Sequence, residues 1–475
     1  MSNQPASGFL IFSVLVCCAA SLCAQDMPKQ DLDRQYQSAV NDYEAGRFGQ
    51  AASELEKVLP YASTSSTVHE LLGLVYASLN QSDRALEQLK TAAQLKPDWV
   101  EARTNLGTAL LHSGKTALAG EQFRKAFALD PRSYDTNHNL GEFYAQVGKL
   151  TEARPLLMQA HGITPAAYNN TYDLAMTDFL LGHNDEARAL VLDLVMQKDA
   201  GELHNLLGQI DEKEGKYLAA ASDYELAAHL DPSEDNLFDW GSEMLLHRTY
   251  EPAIAVFQEA ARRYPKSPRI LIGLGLSLYS RGKYDDAVRA LLAAADLNPS
   301  DPRCYVFLSK AYNSSPLQAD DVIQAFRRYA DLQPTSALAQ YYYAISLWKG
   351  KRAEDASLDQ HTIETLLLKS VALDDSLAEA HVQLGNLYAD QHNYDKSIPQ
   401  YVRALELNPN LPDAHYRLGT DYVHVGQKDS AQKEFAVYQT LRAEHLNEVD
   451  KERAEVQQFV YAAKSDATTQ QDHAN

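Results

Sequence analysis

Histidine and cysteine are the residues of this chain whose chemistry could support a metal ion or a nucleophile. The 15 histidines are scattered over 475 residues. No two of them stand at i and i+4, the spacing that places two ligands on one helix face. His381, His392, His415 and His424 crowd the C-terminal third, yet only His381 and His415 share a sequence context. We therefore predict no metal site and no cofactor.

Motifs for catalysis are equally absent from the sequence. It contains no H-E-x-x-H, G-x-S-x-G, G-x-x-x-x-G-K-[ST] or C-x-x-C. Three of the four cysteines lie before residue 24, and Cys304 stands alone in the rest of the chain. We expect Cys304 to be an inert, half-buried thiol without a disulfide partner. Acidic pairs such as Asp285-Asp286 fall near turns, where they cap helices. No catalytic residue is predicted.

The elements that would position any site follow a repeating pattern. Pro97, Pro131 and Pro165 stand 34 residues apart, and a glycine precedes each by 24 positions. Because the prolines and the glycines keep the same spacing over such a distance, they indicate a tandem repeat. The series continues through Pro232, Pro265, Pro299, Pro334 and Pro409.

The repeat between Trp99 and Pro131 predicts two helices. Gly114 is expected to end the first helix, because glycine adopts positive φ without strain. Asp130-Pro131 ends the second, because proline supplies no backbone N–H. Small residues are expected where the two helices approach closely. The apolar face of the first helix is Leu106, Gly107, Leu110 and Leu111, and that of the second is Ala119, Phe123, Ala126, Phe127 and Leu129.

This pattern resembles the tetratricopeptide repeat. The order L-G-x-x-Y…A…L…P reads here as Leu72, Gly73, Tyr76, Ala85, Leu89 and Pro97. About twelve copies cover roughly residues 32–445. The resemblance implies an all-α fold, a right-handed superhelical solenoid of stacked helix–turn–helix units.

Departures from the repeat pattern predict irregular connections between some helices and an unusual C-terminal end. Asn313-Ser314-Ser315-Pro316 replaces the glycine between two helices, and a loop of about seven extra residues is predicted within 349–360. After Phe435 the apolar spacing continues through Phe459 and Val460. It predicts a C-terminal capping helix over 440–464 that covers the open end of the stack.

The N-terminus predicts a secretory signal peptide over residues 1–24, cut near Ala24. Its apolar run is too short to span a bilayer comfortably. Because residues 2–8 carry no Lys or Arg, an uncleaved anchor or a wrongly assigned start of the chain is the alternative. The expectation is an exported protein, periplasmic or extracellular, without stable membrane insertion after cleavage. The solenoid then occupies 25–464, and the polar tail 465–475 is expected to be disordered.

The acidic balance limits the partners. A formal charge of −21 argues against nucleic acid, whose phosphates demand basic patches. Acidic charge keeps an elongated protein soluble. The alternative function of that charge is to steer a cationic partner toward the protein.

The resemblance also implies where partners bind. In this family the first helix of each pair lines the concave side of the superhelix, and its inward residues fall four apart. Matching the Leu-Gly positions selects Thr104, Thr108, His138, Glu142, Gln146, Tyr172, Met176, Asn205, Gln209, Tyr341, Ile345, Trp348, Val382, Asn386, Tyr416 and Thr420.

Two zones of this surface differ in character. His138 to Gln209 is rich in amides and hydroxyls and suits an extended peptide backbone. Tyr341 and Trp348 offer aromatic anchors beside the cations of Lys349-Gly350-Lys351-Arg352. The alternative is that these aromatic residues belong to the ordinary core between repeats.

The predicted function is therefore an exported scaffold or adaptor that binds protein or peptide partners without catalysis. A receptor for a non-protein ligand such as a cell-wall glycan is the second interpretation, and it requires exposed aromatic platforms. An enzyme is the third, and it requires perturbed titratable groups sharing one cleft.

Overall fold

The computed structural model describes residues 28–314, 318–350, 360–443, 454 and 456–463. Every regular element within these ranges is a helix, which confirms the all-α solenoid predicted from the sequence. The chain divides into two compact units, Met1–Asn170 and Thr171–Asn475. The predicted signal peptide and the tail 465–475 lie outside the described residues.

The first unit contains four helix pairs. In each pair the first helix packs on the second, and the first helices of successive pairs also contact one another. The helices are α1 (Lys29–Glu44), α2 (Phe48–Val58) followed by a 3-10 turn (Leu59–Tyr61), α3 (Ser66–Ser78), α4 (Ser82–Leu95), α5 (Val100–His112), α6 (Thr116–Leu129), α7 (Tyr134–Gln146) and α8 (Leu150–Ile163).

The second unit continues the same arrangement. Helix α9 (Tyr168–Leu181) contains the division between the units. The helices that follow are α10 (Asn184–Gln197), α11 (Gly201–Lys213), α12 (Tyr217–Leu230), α13 (Glu234–Leu246), α14 (Tyr250–Arg263), α15 (Pro268–Ser280), α16 (Tyr284–Leu297), α17 (Pro302–Ser314), α18 (Ala319–Leu332), α19 (Ala337–Gly350), α20 (Gln360–Leu373), α21 (Ala378–Asp390), α22 (Tyr394–Leu407), α23 (Pro412–His424) and α24 (Lys428–Ala443). These helices fit about twelve repeats.

In the helix pairs whose turn lies wholly within the described residues, the turn has the conformation that the glycines predict. Gly114 has φ +70, and its N–H donates to the carbonyl of Leu111 at 2.9 Å. This hydrogen bond satisfies one of the carbonyls left open at the end of α5. Asn80, Arg248 and His392 occupy the same place in other repeats, also with positive φ. The left-handed turn is therefore retained where glycine is replaced.

Close approach of the two helices explains the glycine found in the middle of most first helices. A Cβ placed on Gly107 would lie 2.8 Å from the ring of Phe123, the large residue of the facing helix. Ala119 and Ala126 are fully buried beside it, as predicted. Leu129 is a correction to the predicted apolar stripe. It is 44% exposed, because it lies at the end of α6 beyond the contact with α5.

The C-terminal part is described in two pieces. Helix α24 ends at Ala443, and residues 456–463 are helical again. Residues 444–453, 455 and 464 lie outside the described ranges, so the predicted capping helix 440–464 is described only in part. Among the helices that the structure describes, none is both long enough and apolar enough to cross a bilayer.

Candidate partner-binding surface

The first helices lie side by side: α1, α3, α5 and α7 contact one another in order in the first unit, as do α11, α13, α15, α17 and α19 in the second, and α21 contacts α23. We count from the central glycine of each first helix, or from the residue that replaces it. The inward positions are the third residue before it, the first residue after it and the fifth residue after it. The predicted candidates occupy these positions, except Trp348, which lies four after Ala344.

In the first unit, inward side chains of one helix bond to the next first helix. Glu70 of α3 accepts a hydrogen bond of 2.9 Å from Asn105 of α5. Burial raises the pKa of Glu70, and the Asn105 bond opposes the shift. Thr104 and Thr108 instead donate to carbonyls of their own helix. Glu70 was not among the predicted residues, although counting back from Gly73 selects it.

His138, Glu142 and Gln146 lie along one face of α7. The His138 ring stacks on Tyr134 with 5.5 Å between ring centroids, and its Nδ1 lies 3.2 Å from Asn170 Oδ1. Its Nε2 lies 3.9 Å from the Glu142 carboxylate, which accepts a bond of 3.3 Å from Gln146. The structure therefore brings these three predicted residues together as a polar row at the end of the first unit.

Tyr172 and Met176 are half-buried on α9 in the second unit. Burial raises the pKa of Tyr172 to about 12, and the negative charges of Glu202 and Asp173 add to the shift. Glu202 belongs to α11, the next first helix. The phenol of Tyr172 therefore stays protonated at neutral pH, as a potential hydrogen-bond donor.

Asn205 is the centre of a lateral polar chain in the second unit. Its amide donates to Asn236 at 3.1 Å and to Asp239 at 2.8 Å, both on α13. Gln209, one turn further along α11, donates to the Asn205 carbonyl oxygen at 2.5 Å. The lateral polar chain holds the amide groups of Asn205 and Gln209 in fixed orientations across two repeats. The predicted zone from His138 to Gln209 thus includes residues of both units.

The side chains of the predicted aromatic zone are buried or half-buried, whereas anchors that wait for a partner would be exposed. Ile345 is 6% exposed, inside a hydrophobic cluster with Leu384 and Leu387 of α21. Tyr341 and Trp348 are half-buried against this cluster. Burial raises the pKa of Tyr341, the charge of Glu379 adds to the shift, and a hydrogen bond with Gln383 opposes it. The predicted cations Lys351 and Arg352 lie outside the described residues.

Two of the candidates on α21 and α23 differ in exposure. Asn386 is half-buried, where it accepts a bond of 2.7 Å from the Tyr401 hydroxyl and donates to Gln383 at 3.1 Å. Tyr416 is 51% exposed, with its ring 5.2 Å from that of Tyr438. Tyr416 therefore presents an aromatic edge to solvent, whereas Asn386 mainly orients its neighbours.

Sequence reasoning missed the inward residues of α13 and α15. Counting back from Gly241 and Gly275 selects Phe238 and Ile272, which are 0% and 1% exposed. They are apolar, whereas the first helices α3 to α11 carry Glu, Thr, His, Tyr and Asn at the equivalent position. That change of character was visible in the sequence and marks a different kind of surface.

The recurrent histidines are structural. His69, His381 and His415 each stand four residues before the glycine of a first helix. Their Nδ1 atoms lie 2.6–2.8 Å from a Gln or Glu oxygen of the second helix, and their Nε2 atoms 2.9–3.2 Å from a carbonyl six residues earlier. Each ring thus ties a helix pair to the turn before it.

The remaining chemical candidates are also accounted for. Cys304 is buried, its thiol donates to the carbonyl of Asp301 at 3.1 Å, and burial raises its pKa. A buried, protonated thiol is a poor nucleophile. Within the part of the chain that the structure describes, no cluster of three or more His, Cys, Asp or Glu side chains could hold a metal ion.

Paired helices in tandem, with varied side chains along one side, define the chain as an α-helical repeat protein. Residues 36–98, 70–134, 104–168 and 246–302 match the family model "Tetratricopeptide repeat", and residues 385–423 match the model "TPR repeat". The chain therefore contains tetratricopeptide repeats, as the sequence pattern predicted.

A known protein resembles this chain at low sequence identity. "TPR repeat-containing protein YpiA" of Bacillus subtilis (strain 168) is 24% identical over 186 residues, 39% of this chain and 42% of that protein. The match thus spans less than half of that relative's length.

Solved structures are similar at lower identity. A tetratricopeptide repeat protein from Parabacteroides merdae ATCC 43184 is 16% identical, with a TM-score of 0.43 over 52% of this chain and 99% of that one. Yeast Tom70 is 15% identical, with a TM-score of 0.35 over 92% and 96% of the two chains.

Proposed function

We propose that this protein is an exported scaffold that binds protein or peptide partners on the inward side of its first helices, and that it performs no catalysis. Tetratricopeptide-repeat proteins are generally protein-interaction scaffolds. The observation that carries the proposal for this chain is the lateral polar chain of Gln209, Asn205, Asn236 and Asp239.

This arrangement suits an extended peptide for a chemical reason. An amide side chain has two N–H donors and an oxygen with two lone pairs, and a peptide backbone offers the complementary groups at every residue. Gln209 is half-buried, and its bond to Asn205 uses one of its donors. The Asn205 amide nitrogen already donates to Asn236 and Asp239, and its side-chain oxygen accepts from Gln209, so the Gln209 amide is oriented before a partner arrives, which lowers the entropy cost of binding.

The other two interpretations have less support. A glycan receptor needs several exposed aromatic faces, but of the predicted aromatic candidates Tyr416 alone is exposed, whereas Tyr341 and Trp348 pack against the hydrophobic cluster of α19 and α21. Catalysis is atypical of tetratricopeptide-repeat solenoids. The acidic charge of the chain favours a partner segment that carries lysine or arginine.

Export is part of the proposal and rests on sequence. The apolar run that begins at Gly8 and the small residues up to Ala24 are typical of a secretory signal. A periplasmic or extracellular location then determines which partners the scaffold can meet.

The test is site-specific photo-crosslinking of the full-length protein in its own cells. A photoreactive residue replaces Gln209 on α11, and in the matched control it replaces Gln258, an exposed glutamine on the second helix α14. Captured proteins and the protein's own N-terminus are identified by mass spectrometry. We expect envelope proteins captured from position 209 only, and an N-terminus near Gln25. Equal capture from both positions would contradict the binding surface, and a retained Met1 with cytoplasmic partners would contradict export.

A further inference from the structure

Residues 456–463 have one apolar face, and that face is buried. Val456, Phe459, Val460 and Ala463 stand at i, i+3, i+4 and i+7, the spacing of one side of an amphipathic helix. Phe459, Val460 and Ala463 are 3%, 0% and 1% exposed, whereas Gln458 is exposed. The segment therefore uses its apolar face for a contact with the rest of the second unit.

That contact is made with the inward side of the repeats. The ring of Phe459 lies 6.2 Å from the ring of Phe238, at an interplanar angle of 73°, an edge-to-face arrangement. Phe238 holds the inward position of α13, equivalent to Asn205 on α11. The same hydrophobic cluster includes Ile272, the inward residue of α15.

The surface beneath the segment has a defined chemistry. It is apolar at its centre, and the Arg269 guanidinium lies 5.1 Å from the centroid of the Phe238 ring. Arg269 is itself held by Glu234 at 2.6 Å and by Asp235. Such a surface accepts the apolar side of a helix rather than an extended polar peptide.

We propose that the inward surface of α13 and α15 is a binding site for an amphipathic helix, and that residues 456–463 are its intramolecular occupant. A partner helix with aromatic and β-branched residues at the same spacing replaces this segment. The inference rests on the proposed function in one respect: it assigns partner binding to the same side of the repeats. It adds the class of ligand and an occupant that limits access.

The contact is small enough to be exchanged. Four apolar side chains hold the segment, and because the segment belongs to the same chain as its site, its binding is intramolecular and needs no free ligand. A free peptide of the same sequence therefore competes poorly against the tethered segment. It binds well once the tethered segment loses its apolar face.

A peptide-binding experiment on the full-length protein tests this exchange. The probe is a fluorescent peptide of residues 452–466, titrated into the wild type, the double variant Phe459→Asp/Val460→Asp and the control Gln458→Asp. We expect the double variant to bind the peptide at least about tenfold more tightly than the wild type, and the control to behave as the wild type. Equal affinities in wild type and double variant would overturn the proposal, as would a folded double variant that binds no peptide.

Hydrogen exchange on the unmodified chain keeps the proposal testable if the double variant fails to fold. An exchangeable occupant detaches without unfolding its site, so amides of 456–463 should exchange at least about tenfold faster than those in the middle of α13. Identical exchange in both would show an integral core element and overturn the inference. Capture from position 209 on α11 does not depend on this segment, so failure here is distinguishable from failure of the proposed function.

Discussion

His415 shows how single residues hold a repeat together. Its two ring nitrogens lie 2.6 Å from the Glu434 carboxylate and 3.0 Å from the Pro409 carbonyl, and the residue is 8% exposed. We expect His415→Ala to lower the free energy of unfolding by about 1–3 kcal/mol, because a buried ring and both of its hydrogen bonds are lost. His112→Ala is the control, since His112 is exposed, and about 0.5 kcal/mol or less is expected. Urea unfolding measures both, and equal effects would contradict the structural role.

Gly385 is a residue whose absent side chain matters. A Cβ there would lie 2.6 Å from the buried ring of Tyr401. Gly385→Ala should destabilise by about 1–3 kcal/mol, since overpacking outweighs the better helix propensity of alanine. At Gly162 in α8 nothing lies within 4 Å of the added atom, so Gly162→Ala should be neutral or stabilising by up to about 1 kcal/mol. Thermal unfolding distinguishes the two, and a stabilised Gly385 variant would refute the packing argument.

The raised pKa of Tyr76 predicts that the free energy of unfolding falls at alkaline pH. Burial, its hydrogen bond to Glu56 and the Glu56 charge raise its pKa from 10.0 to about 12. Above pH 10 the unfolded chain loses the phenol proton first, so stability should fall by about 1.4 kcal/mol per pH unit until pH 12. Tyr76→Phe should remove this contribution to the slope. Urea unfolding at several values between pH 9 and 12 measures it, and parallel slopes in both proteins would contradict the pKa shift.

At the scale of elements, helix α22 contains a proline that no turn requires. Pro399 is the sixth residue of the helix, where it removes a hydrogen bond to the carbonyl four residues earlier. Pro252 is the third residue of α14, where backbone N–H groups lack helical partners in any case. The two prolines therefore form a matched pair.

We expect Pro399→Ala to stabilise α22 by about 1–2 kcal/mol, the restored hydrogen bond being partly offset by a more flexible unfolded chain. Pro252→Ala should leave stability unchanged or slightly lower. Hydrogen exchange of the helix amides reports the local effect. A stabilised Pro252 variant together with an unchanged Pro399 variant would be the opposite of this expectation.

Much of the element order was predictable because glycine and proline mark the ends of the helices in most repeats. The glycine turns and the closing prolines gave the helix pairs, and Gly114 has the positive φ that its place requires. The left-handed residues Asn80, Arg248 and His392 show that position in the repeat overrides residue type. The contact of Phe459 with Phe238 was not predictable, because an apolar stripe shows that a helix buries one face without showing against which partner.

At the scale of the whole molecule, stability should be distributed unevenly along each unit. Each helix pair contacts mainly its neighbours, so the free energy of unfolding is close to a sum of local terms. Gly385→Ala should therefore accelerate hydrogen exchange in α21–α24 more than in α11 and α12 of the same unit. A uniform acceleration over the second unit would indicate one cooperative block instead.

The candidate surface was predictable as a set of positions but not as a set of interactions. Counting from the glycines selected Asn205 and Gln209, and the structure joins them in one polar chain. The same counting selected Ile345, which is buried in the hydrophobic cluster. Sequence gives the side of the helix, whereas the neighbouring repeat decides how much of each side chain it covers.

The central claim is that inward side chains bind the partner, and a titration calorimetry experiment tests it most directly. The partner captured by crosslinking is titrated into the full-length wild type, Gln209→Ala and the control Gln258→Ala. The account predicts a Kd about tenfold weaker for Gln209→Ala, corresponding to about 1.4 kcal/mol, and an unchanged Kd for Gln258→Ala. An unchanged Kd for Gln209→Ala, with a weakened one for Gln258→Ala, would place the binding surface on the second helices and contradict the account.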